Sequence, residues 1–478
     1  MAWFAAEHSF LARMLFQRSL AAVYLVAFVV AANQYRALLG EHGLTPVRRF
    51  LARVPFARAP SLFQLHHSDR FFLVVAWAAA ALSAATIAGL TDLVPLPAAM
   101  VVWAVLWLAY LSIVNVGQTW YGFGWESLLL ETGFLAVFLG NTSTAPPVLT
   151  LFLLRWLLFR LEFGAGLIKM RGDRCWRELT CLDFHHETQP MPGPFSWYFH
   201  RLPRPLHRVE VLANHGTQLV VPFALFAPQP VSGVAAAVMI VTQLWLVASG
   251  NFSWLNWLAI VLGLSVLPDA WLDAIWPGHA LHGTAAMPLP FVVAVSATTA
   301  LVVVLSYWPV ANMLSRRQLM NTSFNRWHLV NSYGAFGSVT KIRHEIVVEG
   351  THAARIDADT EWQAYEFKGK PGDVNRRPAQ FAPYHLRLDW LMWFAALSPR
   401  YAEPWFPVFA QRLLEGDRQV SKLLHNDPFA AEPPRFVRAL LYRYRFTTRH
   451  ERRASGAWWS RTLVGEFMAP VNLRRRSD

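Results

Sequence analysis

The stretch Leu20–Leu39, LAAVYLVAFVVAANQYRALL, decides how the rest of the chain is read. It carries no charge until Arg36. A helix rising about 1.5 Å per residue needs roughly 20 apolar residues to cross the hydrocarbon of a bilayer, and this segment supplies them. It is too long for the apolar core of a signal peptide, and Asn33, Gln34 and Tyr35 follow its centre where small cleavage-site residues would be needed, so it reads as an anchor that stays.

Similar stretches recur at Phe71–Leu90, Ala98–Val116, Pro146–Ile168, Val231–Ser249, Phe252–Leu267 and Pro288–Trp308. Shorter ones, Ser127–Leu139 and Gln218–Phe226, span only with help from neighbours or dip in and return. The expected count is about seven to nine spans. Composition agrees: 54% of the 478 residues are hydrophobic, 22 are tryptophan and only 15% are charged. A soluble domain carries about a quarter charged residues, because its surface faces water. The net charge of +13 lies in the loops flanking the spans, which suits anionic headgroups and excludes nucleic acid as the expected partner.

Hydropathy divides the chain into a transmembrane helical bundle, 1–314, interrupted by a polar loop at 169–215, and an extramembrane carboxyl-terminal domain, 315–478. In the latter, Thr340–Gly350 and Glu361–Lys370 alternate polar and apolar residues as strands of a small antiparallel sheet. Leu386–Leu397, Pro407–Leu424 and Pro433–Phe446 read as helices bounded by proline, and NLRRRSD at the end as a solvated basic tail. The fold class is therefore mainly α: a polytopic bundle followed by a water-exposed α+β domain. Basic residues stand before the first span (Arg13, Arg18) and in greater number after it (Arg36, Arg48, Arg49, Arg53, Arg58). That count leans toward a cytoplasmic first loop, central loop and carboxyl-terminal domain.

Ionisable groups inside spans are costly and mark candidate sites. Glu126 and Glu131 stand at the mouth of an apolar helix in WYGFGWESLLLETGF; Glu126 reads as a helix-start carboxylate within an interfacial aromatic belt, Glu131 as a deeper group. LLRWLLFRLEFGAGLIKMRGDRCW holds Arg155, Arg160, Glu162 and Lys169. Arg155, Glu162 and Lys169 are spaced by sevens, so one helical face carries all three into the bundle. They form either an ion-pair ladder fixing register or a polar cavity with Lys169 as base, joined by Glu131. The central loop carries Asp183, His185, His186, Glu187, His200, His207 and His215, yet no spacing matches a known metal motif, and neither metal nor other cofactor is expected. Cys175 and Cys181, the only cysteines, could pair on an oxidising face or remain free thiols in the cytoplasm. In the tail, Asp373, Arg376, Arg377 and Trp390 form either a partner-binding loop or internal mortar.

Six blocks carry a resemblance: LFQRSLAAVYLVAFVVAANQYRALLGEHGLTPV, WYGFGWESLLLETGF, LDFHHETQPMPGPFSWYFH, NSYGAFGSVTKIRHEIVVEG, YEFKGKPGDVNRRPAQFAPYHLRLDWLMWFAAL and WWSRTLVGEF. In that order they resemble blocks of the lipase maturation factor family. The resemblance implies a non-enzymatic, multispanning protein that assists folding of secreted or membrane-associated clients such as lipases. Eukaryotic members reside in the endoplasmic reticulum membrane with the carboxyl-terminal domain lumenal, contrary to the charge count; the alanine and arginine richness here suits a bacterial inner membrane. A shorter stretch, AGLIKMRGDRCW, is similar to one in vitamin K-dependent gamma-carboxylase and its relatives, where the lysine matching Lys169 is the candidate base. That implies an alternative, a membrane enzyme acting on a lipid or lipophilic cofactor. Client, substrate and oligomeric state are not legible in the sequence.

Overall fold

The computed structural model describes residues 2–275 and 287–473. Long helices form the first two-thirds: α1 (Phe10–Leu38), α2 (Asp69–Ile87), α3 (Leu96–Val116), α4 (Gly124–Ala136) and α5 (Val148–Arg171). After a loop containing the short α6 (Leu182–Thr188) come α7 (Arg204–Leu219), α8 (Val231–Ser249), α9 (Leu255–Leu264), α10 (Asp269–Ile275), α11 (Leu289–Leu305) and α12 (Tyr307–Leu314). Among the described residues, five stretches are long and apolar enough to cross a membrane: α1, α2, α3, α8 and α11–α12; the bent pair α9–α10 makes a sixth if counted as one. Outward faces confirm the solvent they suit. Val101, Val105 and Leu108 on α3, and Val234, Val238, Val241 and Trp245 on α8, are exposed at helical spacing, which water would not tolerate in such numbers.

Contacts at the helix ends show that successive helices run alternately between two ends of the bundle. At the far end, Arg13 Nη1 donates to Thr144 O (2.6 Å), Gln17 Nε2 to Gly140 O (2.8 Å) and Asn141 Nδ2 to Val94 O (2.8 Å). There Asp269 accepts from the Leu11 and Ala12 amides (3.0 and 2.9 Å), giving two of the orphan N–H groups at the start of α1 a partner on α10. At the near end, the close of α1, the first loop, the central loop and the carboxyl-terminal domain come together, as the charge reading grouped them: Asn115 Nδ2 donates to Pro60 O (2.8 Å) and to Arg326 O (3.2 Å). The Gln218–Phe226 stretch is a broken passage, with α7 ending at Leu219 and a short helix Val221–Ala224 following, where Pro222 lacks an amide donor.

The carboxyl-terminal domain is built on a four-stranded antiparallel sheet of order β2-β1-β5-β6: β1 (Arg343–Thr351), β2 (Gln363–Ala364), β5 (Phe436–Phe446) and β6 (Trp459–Val471). A second pair joins β3 (Glu366–Phe367) to β4 (Leu424–Asn426). Helices α13 (Arg387–Leu397), α14 (Phe406–Leu414) and α15 (Arg449–Ser455) pack around them. The expected helix over Pro433–Phe446 is instead the central strand β5, paired along its length with β1. Tyr442–Phe446 alternates aromatic and arginine, and Tyr444 and Phe446 are buried while Arg443 and Arg445 are exposed, so period two prevails over the proline-bounded helical reading. The expected helix over Pro407–Leu424 stops at Leu414, resumes for Arg418–Ser421 and ends in β4. The last five residues of the basic tail lie outside the described residues.

Candidate functional site

The composition changes at Ser315, but the packing does not. The connecting segment 325–336 is irregular, with His328, Val330 and Phe336 at positive φ, a conformation costly for L side chains and especially for β-branched valine. It is folded into the bundle. Asn331 donates from N and Nδ2 to Glu131 Oε2 (both 2.9 Å), and Tyr333 OH donates to the same oxygen (2.9 Å). Arg160 pairs with Glu131 and donates from Nη1 to Asn331 O (2.6 Å). Irregular backbone survives here because Glu131 and Arg160 meet its Asn331 N–H and C=O, although Asn331 Oδ1, Ser332 Oγ and Arg160 Nε have no partner among the described residues. Gly164 on α5 permits the approach, since a Cβ there would lie 2.2 Å from Tyr333 O. Glu131 thus belongs to a joint between bundle and tail, with Arg160 as its partner, rather than to the Glu162–Lys169 face.

A second joint lies nearby. Arg387, the first residue of α13, donates from Nη1 to Glu126 Oε1 (2.8 Å) and to Trp120 O (2.5 Å), and its guanidinium lies 3.5 Å from the Tyr121 ring centroid. Tyr110 OH donates to the other Glu126 oxygen. Gln34 near the end of α1 ties the same strand of chain, donating to His385 O (2.7 Å) and accepting from Arg387 N (3.1 Å). Glu126, Arg387 and His385 are wholly buried. Glu126 stands in the first turn of α4, as the sequence suggested, but as an interior anchor rather than at an interface. Burial, and secondarily the Arg387 charge, holds His385 down to about 3, so it is neutral at physiological pH.

A third joint hangs the central loop on the sheet. Arg343 of β1 donates to Glu187 O (3.0 Å), Gln189 O (2.5 Å) and Pro190 O (3.1 Å), while Glu345 and Lys370 complete a buried charge set behind it. Glu187 accepts from Phe446 N (2.7 Å), and Trp197 Nε1 donates to Thr447 O (2.9 Å). Of the loop's histidines, His200 sits at this contact beside Glu187 and Phe446, whereas His207 and His215 bond back within the loop, to Phe199 O and Trp176 O. His186 is buried with neither ring nitrogen hydrogen-bonded among the described residues, and burial drives its pKa well below the usual value; burial also lowers His185 and His200 to about 4. The sulfurs of Cys175 and Cys181 are joined, and Trp176 between them donates to Phe336 O (2.8 Å) at the edge of the tail.

The polar face on α5 lies elsewhere, against α7 and α8. Lys169 Nζ donates to Asn214 Oδ1 (2.7 Å) and Gln218 Oε1 (2.8 Å); Glu162 accepts from Gln218 (3.2 Å) and Gln243 (2.6 Å); Arg155 donates to Leu225 O (3.2 Å). The sevenfold spacing does put the three on one side, but the Gln218 amide links Lys169 to Glu162 in place of a direct ion pair, and Arg155 stands apart on Leu225 O. Of the tail candidates, Arg376 donates to Phe367 O (2.6 Å) and Lys370 O (3.1 Å), Arg377 reaches Pro194 O (3.0 Å), Asp373 closes its own turn onto Asn375 N (2.9 Å), and Trp390 is buried against Trp125. Arg377 and Trp390 thereby serve the same bundle–domain contact. Arg343, Glu345, Asn331, Tyr333 and Arg387 were missed as site residues. One signal was there: Arg387 is the lone cation of LRLDWLMWFAAL, as Glu126 is the first carboxylate of an apolar helix, and two such groups require each other.

Fold and joints together define a multi-pass membrane protein whose extramembrane domain is locked to one end of its helical bundle. The profile of the lipase maturation factor transmembrane domain matches residues 11–274, and that of the lipase maturation factor C-terminal domain matches residues 329–469. Lipase maturation factor 1 of Bos taurus is 42% identical, the alignment covering 97% of this chain and 89% of the relative; that of Homo sapiens is 42% identical over 97% and 88%. Lipase maturation factor 2 of Gallus gallus is 30% identical over 96% and 81%. The chain belongs to the lipase maturation factor family. No solved structure matches it.

Proposed function

We propose that this protein assists the folding or maturation of secreted or membrane-associated client proteins, lipases being the class its relatives' names indicate. The carrying observation is the similarity over both halves at once, 97% of the chain, which matches the bundle and the domain it holds as one unit. The near end carries the carboxyl-terminal domain and faces the oxidising side of the membrane. The joined Cys175 and Cys181 in the central loop support this orientation, since such bonds persist outside the cytoplasm, and they outweigh the basic count of the first loop, because folded domains override that rule. Among the described residues, helices α1 to α5, the broken α7 passage, α8, α9 and α11–α12 then make nine crossings, with the short α4 and α9 shielded by neighbours. In a bacterial inner membrane the near end faces the periplasm; in the endoplasmic reticulum it faces the lumen.

Client activity is the test. In cells lacking their own maturation factor, co-expression with a secreted lipase is expected to raise active enzyme per unit of lipase protein. Unchanged specific activity at normal expression of both would defeat the reading. Orientation is tested separately by placing a cysteine at Gly456, on the exposed turn after α15, in a Cys175→Ser/Cys181→Ser background and treating sealed membranes of known sidedness with an impermeant thiol reagent.

A further inference from the structure

A cavity of about 240 Å³ lies where the end of α1 meets the carboxyl-terminal domain, lined by Asn33, Lys368, Tyr384, Asp389 and Lys422 among others. Its floor is unusual. Asp389 is 1% exposed; its Oδ1 accepts from the Gly369 and Lys370 amides (2.6 and 3.1 Å), while Oδ2 has no hydrogen-bond donor among the described residues. Lys370 cannot serve it, because its Nζ is engaged by Ile346 O, Pro371 O and Glu345. Burial raises the Asp389 pKa above the usual carboxylate range, outweighing its two amide hydrogen bonds and the charges of Lys370 and Arg376.

Rim and floor have opposite character. Lys368 and Lys422 are exposed at the mouth; Lys368 Nζ spends one proton on Lys422 O (2.5 Å), leaving two for a ligand. The outward stripe of α1 runs through Ala22, Leu25, Val26 and Val29, all half-exposed, to the exposed Asn33 and Arg36. Apolar side chains on that stripe face acyl chains, so the polar residues that end it stand at headgroup level, and Asn33 lines the cavity. A ligand fitting this arrangement carries an ammonium with N–H donors for the floor and, a short linker away, an anion for the rim.

We infer that this cavity binds the phosphoethanolamine headgroup of a bilayer lipid, with its ammonium at Asp389 and its phosphate at Lys368 and Lys422. The same chemistry is offered by soluble phosphoethanolamine esters, so the test separates the two sources. Purified full-length protein is titrated with dioleoyl phosphatidylethanolamine, phosphatidylcholine or phosphatidylglycerol, and retained lipid is counted by native mass spectrometry. Phosphatidylcholine keeps the phosphate but has no N–H donor, so the ethanolamine lipid is expected to be retained at least about tenfold better. Asp389→Asn is expected to abolish that preference, and Lys368→Ala with Lys422→Ala to weaken retention of all three phosphate lipids. Asn33→Trp, which fills the mouth from an exposed position without touching Asp389's amide bonds, is expected to reduce retention equally and decides the matter if D389N does not fold. Displacement by glycerophosphoethanolamine at equal concentration assigns the site to soluble esters; retention of the diacyl lipid against it assigns the site to the bilayer. Equal retention of ethanolamine and choline lipids by the wild type, or unchanged retention in N33W, overturns the inference.

Discussion

Arg387 of the carboxyl-terminal domain and Glu126 of the bundle form a 2.8 Å ion pair across their joint, with both side chains wholly buried. Desolvating two charges is costly, and the pair persists because Trp120 O, Tyr110 OH and the Tyr121 ring supply further contacts. Removing one charge strands the other. Glu126→Gln or Arg387→Met is expected to destabilise the protein by about 3–5 kcal/mol, whereas Glu126→Met combined with Arg387→Met should recover much of that loss. Thermal melting in detergent, followed by tryptophan fluorescence, would measure both; a double variant no better than the singles would contradict this account.

Gly164 tests the other joint without altering charge. A methyl there meets Tyr333 O at 2.2 Å, a backbone atom that cannot swing aside. Gly164→Ala is expected to cost about 1–3 kcal/mol and to push out the segment that carries Asn331 and Tyr333. Limited proteolysis should then cut within 325–340 faster than in the wild type, while cleavage elsewhere stays unchanged.

How far the sequence reached follows from which physical signals are local. Hydrophobic length is local, so the long helices were legible, and so was the common face of Arg155, Glu162 and Lys169. The joints were not, because their partners lie far apart in the chain: Glu126 and Arg387 are separated by 261 positions, and Glu131 and Asn331 by 200. A lone charge in an apolar run announces that it needs a partner without saying which. Strand β5 was misread for a related reason: Val437, Leu440, Leu441 and Tyr444 satisfy helical spacing while Val437 and Ala439 also satisfy alternation, and only pairing with β1 decides between them.

The central loop should be acid-sensitive. His185, His186 and His200 have pKa values depressed by burial, His185 and His200 to about 4, so the folded state resists their protonation. The stability they confer is complete above the unfolded value near 6.5 and is lost as pH falls from there toward the folded values, at roughly 1.4 kcal/mol per pH unit for each. Melting temperature is therefore expected to be flat from pH 8 to 7 and to fall between pH 6.5 and 5. His186→Phe, which removes a buried imidazole with no hydrogen-bonding partner among the described residues, should flatten that fall; an unchanged slope would show that other groups dominate.

The link between Cys175 and Cys181 closes a loop with five residues between its ends, for which chain entropy gives about 2 kcal/mol. Cys175→Ser is expected to cost about that much and to loosen Trp176 from Phe336 O. Wild-type protein isolated under alkylating conditions should show both thiols blocked before reduction and free after it. Free thiols from the outset would return the near end of the bundle to the cytoplasm.

Lys169 separates maturation factor from membrane enzyme. Its ammonium is held by Asn214 and Gln218 and lies 5.0 Å from the Trp176 ring, and Gln218 continues to Glu162. These contacts suit a fastening between α5 and α7, since each strong donor or acceptor meets an amide of the neighbouring helix. Lys169→Met leaves those amides unpaired and should lower stability by about 1–3 kcal/mol. Client maturation per folded molecule should nevertheless match the wild type, because a fastening contributes to abundance and not to turnover. Loss of all activity at wild-type abundance and melting temperature would instead make Lys169 a reacting group, and the similarity of AGLIKMRGDRCW to the gamma-carboxylase pattern would become the better guide to what this protein does.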